Sequence, residues 1–148
     1  MNNFLYKKSI RQTLITDLFQ EYAKSAPDRR AFTWLEDGEK EAGHLSFKML
    51  DMEAKSIANQ LKNGDSTAPK RALLLYPQGL DFIIAFMGCL YAGVVAVPIN
   101  FLDPKRFVRN FERFQVIVKD SQADTVLTTS QVIKNIVRDS EPEIWGSY

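Results

Sequence analysis

From Phe82 to Leu102 the chain runs for 21 residues without a charged side chain. That is close to the roughly 20 apolar residues a helix needs to span a bilayer. Three residues interrupt the run: Gly88, Gly93 and Pro98. Gly93 divides it into unlike halves. Leu80–Ala92 is apolar nearly all round, whereas Val94-Val95-Ala96-Val97 has the β-branched chemistry of a strand. A buried helix followed by a buried strand explains both the length and the break. The soluble reading is therefore preferred, and a single membrane span around Phe82–Leu102 stands as an alternative.

The flanking segments repeat this helix–strand alternation. Ala72–Tyr76 is an apolar run suited to a strand buried on both faces, and Pro77-Gln78-Gly79 turns the chain into the helix Leu80–Ala92. Gly93 stands where a helix cap belongs, ahead of a strand Val94–Ile99. Phe107, Phe111, Phe114 and Val118 recur at helical spacing, Thr125–Thr128 reads as a short strand, and Ser130 can cap a last helix through Arg138. This order predicts an α/β fold, a mainly parallel sheet with crossover helices.

Upstream, Thr13–Ser25 reads as an amphipathic helix carrying Leu14, Leu18 and Tyr22, ended by Pro27. Ala31–Leu35 and Gly43–Phe47 flank Asp37-Gly38 as a hairpin, with the polar loop Glu36–Ala42 leaving its register open. Ser46 can cap a helix whose face is Leu50, Ala54, Ile57, Ala58 and Leu61, stopped by Asn63-Gly64. The polar stretch Gly64–Pro69 is the candidate seam within a single, partial domain covering residues 1–148, and the tail Asp139–Tyr148 shows no period.

Charge and rare residues narrow the chemistry. The 19 Lys and Arg nearly balance 18 Asp and Glu, so a net charge of +1 gives no global field for nucleic acid. One cysteine, Cys89, excludes an intramolecular disulfide and a Cys-clustered zinc site. With His44 the sole histidine, neither a multi-His metal site nor a His-dependent triad elsewhere in the chain is expected. Met1–Ser9 has Lys7 and Lys8 but no apolar stretch behind them, so no secretory signal and a cytoplasmic location are expected.

Each candidate site residue has a plainer role. Ligands of α/β folds sit beyond the carboxyl ends of the strands, which directs attention to the turn after Tyr76. That turn holds one glycine, Gly79, and no Gly-Lys-Ser/Thr triplet occurs in the chain, so no phosphate cradle is expected. Cys89 is read as core, and His44 as structural or exposed. Arg106, Arg109 and Arg113 share a helix face, with Lys105 and Lys119 near its ends. They could meet a phosphopantetheine or a carrier protein, but a solvated outer face is the preferred reading. Glu112, Asp120 and Asp124 form no acid–base pair in sequence.

The stretch ALLLYPQGLDFIIAFMGCLYAGVVAVP, Ala72–Pro98, resembles the N-terminal domain of fatty-acyl-AMP ligases, a branch of the adenylate-forming superfamily. Leu45-Ser46-Phe47-Lys48-Met49-Leu50 resembles the superfamily's early Leu-Thr-Tyr-x-x-Leu motif, and Phe114–Thr129 resembles the following helix and strand. The likeness runs from about Thr13 to Ile136. Where relatives often continue Tyr-Pro-Pro after Val97-Pro98-Ile99, this chain has Asn100-Phe101-Leu102-Asp103-Pro104.

The resemblance implies part of the large N-terminal domain of an enzyme that activates a fatty acid with ATP and Mg²⁺ as an acyl-adenylate. The acyl group then passes to an acyl carrier protein. The family's phosphate loop, adenine and ribose motifs and catalytic lysine lie beyond the stretch that ends at Tyr148. The chain is therefore expected to be an N-terminal fragment or truncated member, inactive alone and able to self-associate through unpaired apolar surface. No catalytic, cofactor-binding or metal residue is assigned. A non-catalytic interaction module of the same fold is the remaining alternative.

Overall fold

The protein is described by a computed structural model over residues 14–62, 70–99 and 111–139. Gly93 decides the central architecture. Its backbone lies in the left-handed region at φ 72° and ψ 24°, and its N–H donates to the Cys89 and Leu90 carbonyls, closing helix α3 (Leu80–Ala92). The chain then enters β4 (Val95–Pro98), which pairs in parallel with β3 (Arg71–Leu75). The uncharged run is thus shared between a helix and a strand. Among the described residues no helix is long and apolar enough to cross a membrane.

Helix α3 is apolar on nearly every face because it is packed on both sides. Toward the parallel sheet, Ala85 and Cys89, with Phe82 and Phe86, meet Ala72 and Leu74 of β3, Val94 and Ala96. On the other side Met87, with Leu80, Ile83 and Leu90, meets Leu45, Leu50, Ala54 and Phe32. Asp81 is the side chain of the helix that stands exposed in its first turn. The largest apolar exposure falls elsewhere, including Leu14, Met52 and Val116. Both sides of α3 thus have partners within this chain.

The second side is built by the first half of the sequence. Helix α1 (Ile15–Ser25) is followed by the antiparallel strands β1 (Arg30–Glu36) and β2 (Lys40–Ser46). Asp37 and Gly38, both at positive φ, make the turn, so the connection is Asp37–Glu39 and not the longer loop Glu36–Ala42. Phe19 stacks on Phe32 and meets Phe47, and Tyr22 stacks on Phe47, which fixes α1 over the hairpin. Phe47 opens helix α2 (Phe47–Lys62) instead of ending the strand. Ser46 caps it: the Met49 N–H donates to Ser46 Oγ at 3.2 Å. Leu50, Ala54, Ala58 and Leu61 are buried, with Ile57 partly so, as the spacing predicts. The stop at Asn63-Gly64 and the candidate seam at Gly64–Pro69 lie outside the described residues.

The parallel sheet has strand order β4-β3-β5, with β5 at Thr125–Thr128. Helix α4 (Phe111–Ser121) leads into β5, and α5 (Ser130–Asp139) follows it. Phe107 of the expected phenylalanine stripe lies outside the described residues. Phe114 of α4 and Val132 of α5 pack with Leu75 and Ile99 on the face opposite α3. Arg71 ties the crossover down, its guanidinium donating to the Ser121 carbonyl at 2.7 Å at the end of α4. One cap differs from the sequence reading. Thr129, not Ser130, caps α5, because its Oγ1 accepts the Val132 N–H at 3.2 Å and Ser130 is already helical.

Candidate functional site

Strand β3 sends its following helix, α3, to one face of the sheet, while α5 after β5 lies on the other. Between these two strands the winding reverses, and such a switch point opens a crevice at the carboxyl ends where α/β proteins place ligands. In this chain the carboxyl ends of the two strands continue into Tyr76-Pro77-Gln78-Gly79 and Thr128-Thr129-Ser130. Pro77, Gln78 and Ser130 are exposed, and Tyr76 is half-buried. Thr128 Oγ1 donates to the Leu75 carbonyl at 2.6 Å, locking the two strand ends together.

The polar groups at this end are largely spent on the fold. Thr128 serves the sheet and Thr129 the α5 cap. Gly79, at φ 154°, forms the entry to α3 and makes no side-chain cap. Burial, then the nearby Asp81 carboxylate and the Cys89 thiol, raise the Tyr76 phenol above its ordinary value. It is therefore held neutral, as a hydrogen-bonding group and not as a base.

Deeper in the fold, burial pushes the Cys89 thiol up to about 11. It packs among Leu74, Ala85 and Leu61, so it is core, as the sequence implies. Tyr91 of α3 donates to Asp51 Oδ1 of α2 at 3.1 Å, and Lys55 donates to Asp51 Oδ2 at 2.7 Å. Burial first, then the hydrogen bond to Asp51 and its charge, raise the Tyr91 phenol far above its usual range. Sequence reasoning did not single out this polar clasp; its members lie 40 residues apart, and each looks like an ordinary surface residue.

The other sequence candidates are dispersed. His44 is exposed on β2, its Nδ1 3.3 Å from Glu41 Oε1, while Glu41 Oε2 accepts from Arg30 at 2.8 Å. Arg113, Lys119, Glu112 and Asp120 are exposed along α4, and Asp124 is exposed just before β5. Lys105, Arg106 and Arg109 lie outside the described residues. Among the described residues, His44, Glu112, Arg113, Lys119, Asp120 and Asp124 form no common cluster. The motif Leu45–Leu50 proves to be a strand-to-helix joint, with Leu45 and Leu50 buried and Ser46 supplying the cap between them.

A parallel sheet wound on both faces, opened by a hairpin and two packed helices, is the fold of the N-terminal domain of fatty-acyl-AMP ligases. The chain belongs to the AMP-binding enzyme family, which it matches over residues 19–144. It is 48% identical over 116 residues to the medium-chain-fatty-acid–acyl-carrier-protein ligase JamA of Moorena producens, covering 78% of this chain and 19% of that one. It is 32% identical over 142 residues to a 4-hydroxyphenylalkanoate adenylyltransferase of Mycobacterium marinum, covering 93% and 22%. A fatty acyl-adenylate ligase from L. pneumophila, solved with acyl adenylate and pyrophosphate, superposes with TM-score 0.69 at 34% identity, covering 81% of this chain and 20% of that one. The chain therefore spans about a fifth of the length of these relatives.

The family implies ATP and Mg²⁺ for a full-length enzyme. The described residues do not fit them unaided. No group of three or more His, Cys, Asp or Glu side chains among them can hold a metal ion. The turn Pro77-Gln78-Gly79 offers one glycine where a phosphate cradle needs several.

Proposed function

We propose that the chain is the opening part of a fatty-acyl-AMP ligase. In this reading the whole enzyme joins a fatty acid to AMP using ATP, releases pyrophosphate, and delivers the acyl group to the thiol of an acyl carrier protein. The observation that carries it is the 48% identity with a ligase whose name specifies both a medium-chain fatty acid and a carrier protein. An acyl-adenylate is a mixed anhydride that must be kept from water until the thiol arrives. The role of this segment is a rigid wall: α3 has partners on both sides, and β3 is buried along Ala72–Leu75. No residue of the chain is assigned to ATP or Mg²⁺, and the segment alone catalyses no adenylation.

The test is to incubate the full-length protein carrying this sequence with labelled ATP and separate panels of fatty acids, arylalkanoic acids and amino acids. Carrier protein or free coenzyme A is then added. Fatty acyl-adenylate formation and transfer to the carrier protein are expected. Activation of amino acids only, or efficient transfer to free coenzyme A and none to a carrier protein, refutes the assignment. Fatty-acid-dependent pyrophosphate exchange by the 148-residue chain alone, above a no-protein blank, refutes its passivity.

A further inference from the structure

Helix α1 turns much of its apolar side to solvent. Phe19 anchors it, stacked on Phe32 and tilted against Phe47, and the half-buried side chains around that anchor are Thr16, Gln20 and Ala23. Leu14, Leu18 and Tyr22, spaced by four, form an adjoining row with Ile15 beside it. In that order the four side chains are 64%, 38%, 42% and 55% exposed. Asp17 and Glu21 flank the same row, three residues after Leu14 and Leu18, and neither forms an ion pair among the described residues.

The sequence ahead of the row has the matching chemistry. Leu14 is extended at φ −65° and ψ 150°, and its N–H donates to Asp17 Oδ2 at 3.2 Å, so the helix begins there. Tyr6 and Ile10 continue the spacing of four backward from Leu14, but the extended backbone at Leu14 breaks the helical path. Residues 1–13, outside the described residues, carry Phe4, Leu5, Tyr6 and Ile10 with Lys7, Lys8 and Arg11, and no carboxylate side chain. Residues 14–46, which hold α1 and the hairpin, carry seven carboxylate side chains against four Lys and Arg.

Size and charge choose among occupants. A stable dimer needs about 800 Å² from each partner, and a row of four side chains on an 11-residue helix is small for that. A segment of the same chain loses no translational freedom on docking, so a small surface suffices. The excess of carboxylates around α1 repels an anionic lipid surface.

We propose that residues 1–13 turn back along α1 and cover this row, with Phe4, Leu5 and Tyr6 over Leu18 and Tyr22, and Lys7 and Lys8 beside Asp17 and Glu21. The chain from Leu5 to Leu14 reaches about 30 Å when extended, against about 12 Å of helix between Leu14 and Tyr22. The inference goes beyond the ligase reading and does not depend on it.

Hydroxyl-radical footprinting reads side-chain exposure directly. It is run on the full-length protein carrying this sequence and on the 148-residue chain, each beginning either at Met1 or at Thr13. With residues 1–12 present, oxidation of Leu14, Leu18 and Tyr22 is expected to be at least threefold slower, while Met52 and Val116, exposed elsewhere, are unchanged. Phe4→Ser combined with Leu5→Ser restores the fast rate, and Lys7→Glu combined with Lys8→Glu does so at low salt. Circular dichroism checks that each form folds; if the chain beginning at Thr13 does not, the point variants carry the test. Equal rates with and without the segment in either protein, or protection retained by the Phe4→Ser, Leu5→Ser variant, overturns the proposal. So does protection that fades on dilution together with a dimer, that requires anionic vesicles, or that persists in the full-length protein once residues 1–12 are removed. A protein that shows the expected pattern yet forms no acyl-adenylate refutes the proposed function and leaves the docking assignment standing.

Discussion

Gly88 is the tightest point of the α2–α3 crossing, and replacing it by alanine sets two known effects against each other. A Cβ built on Gly88 lies 2.6 Å from Ile57 Cγ2, 2.7 Å from Ile57 Cβ and 3.2 Å from the Ala54 carbonyl oxygen. Ordinary carbon contacts are about 3.5–4.0 Å, so the shortfall is roughly 1 Å. Rotating Ile57 about χ1 moves Cγ2 but not Cβ, so the helices themselves must part. Overpacking of this kind costs about 1–3 kcal/mol, whereas alanine gains about 1 kcal/mol over glycine in helix propensity. The upper part of the range applies, because the obstacle is fixed to backbone. Gly88→Ala is expected to destabilise by about 1–2 kcal/mol, a fall in melting temperature of roughly 2–8 °C. Urea and thermal melts measure it. Ile57→Ala removes the shortest contact, so Gly88→Ala should cost at least about 0.5 kcal/mol less in that background. A Gly88→Ala protein as stable as the parent, or more so, refutes the crossing geometry.

Other outcomes follow from single groups. Gly93→Ala forces a side chain into the left-handed region at φ 72° and is expected to cost about 1 kcal/mol by urea melt. Ser46→Ala removes the α2 cap and should cost about 1 kcal/mol, whereas Ser130→Ala, one residue inside α5, should change little; Thr129→Ala should show the α5 loss instead. Cys89, raised from 9.0 to about 11, should resist a thiol reagent at pH 8 in the folded chain and react promptly in urea. Because its folded value is the higher one, its contribution to stability is full below about pH 9 and is lost as pH rises toward 11. Melts at pH 8 and pH 10.5 should show that loss, and Cys89→Ala should reduce the difference.

The sequence was most legible where one residue carries one constraint. Gly93 separated helix from strand, and the bounds Leu80–Ala92 and Thr125–Thr128 are those observed. Ser46 as a cap was legible because a hydroxyl stands directly before the apolar helix face. At α5 two hydroxyl residues, Thr129 and Ser130, compete, and only the backbone turn decides between them. The hairpin strand Lys40–Ser46 was read short because its first residues are polar and exposed, and the ladder carries irregularities between Arg30/Phe32 and Trp34/Leu35. Distant pairings left no local signal: Arg71 reaches Ser121, and Tyr91 reaches Asp51. The switch point at the strand ends was locatable on one side from the turn after Tyr76. That β5 forms its other side became visible only with the strand order, because β3 lies between β4 and β5.

The most direct test of the account replaces the matched 116 residues of the Moorena producens ligase with the corresponding stretch of this chain. Medium-chain fatty-acid-dependent exchange of labelled pyrophosphate into ATP is then measured. The account predicts exchange well above both a no-protein blank and the same ligase lacking the segment. A fusion that melts cooperatively yet exchanges pyrophosphate with no fatty acid, or with amino acids alone, contradicts it.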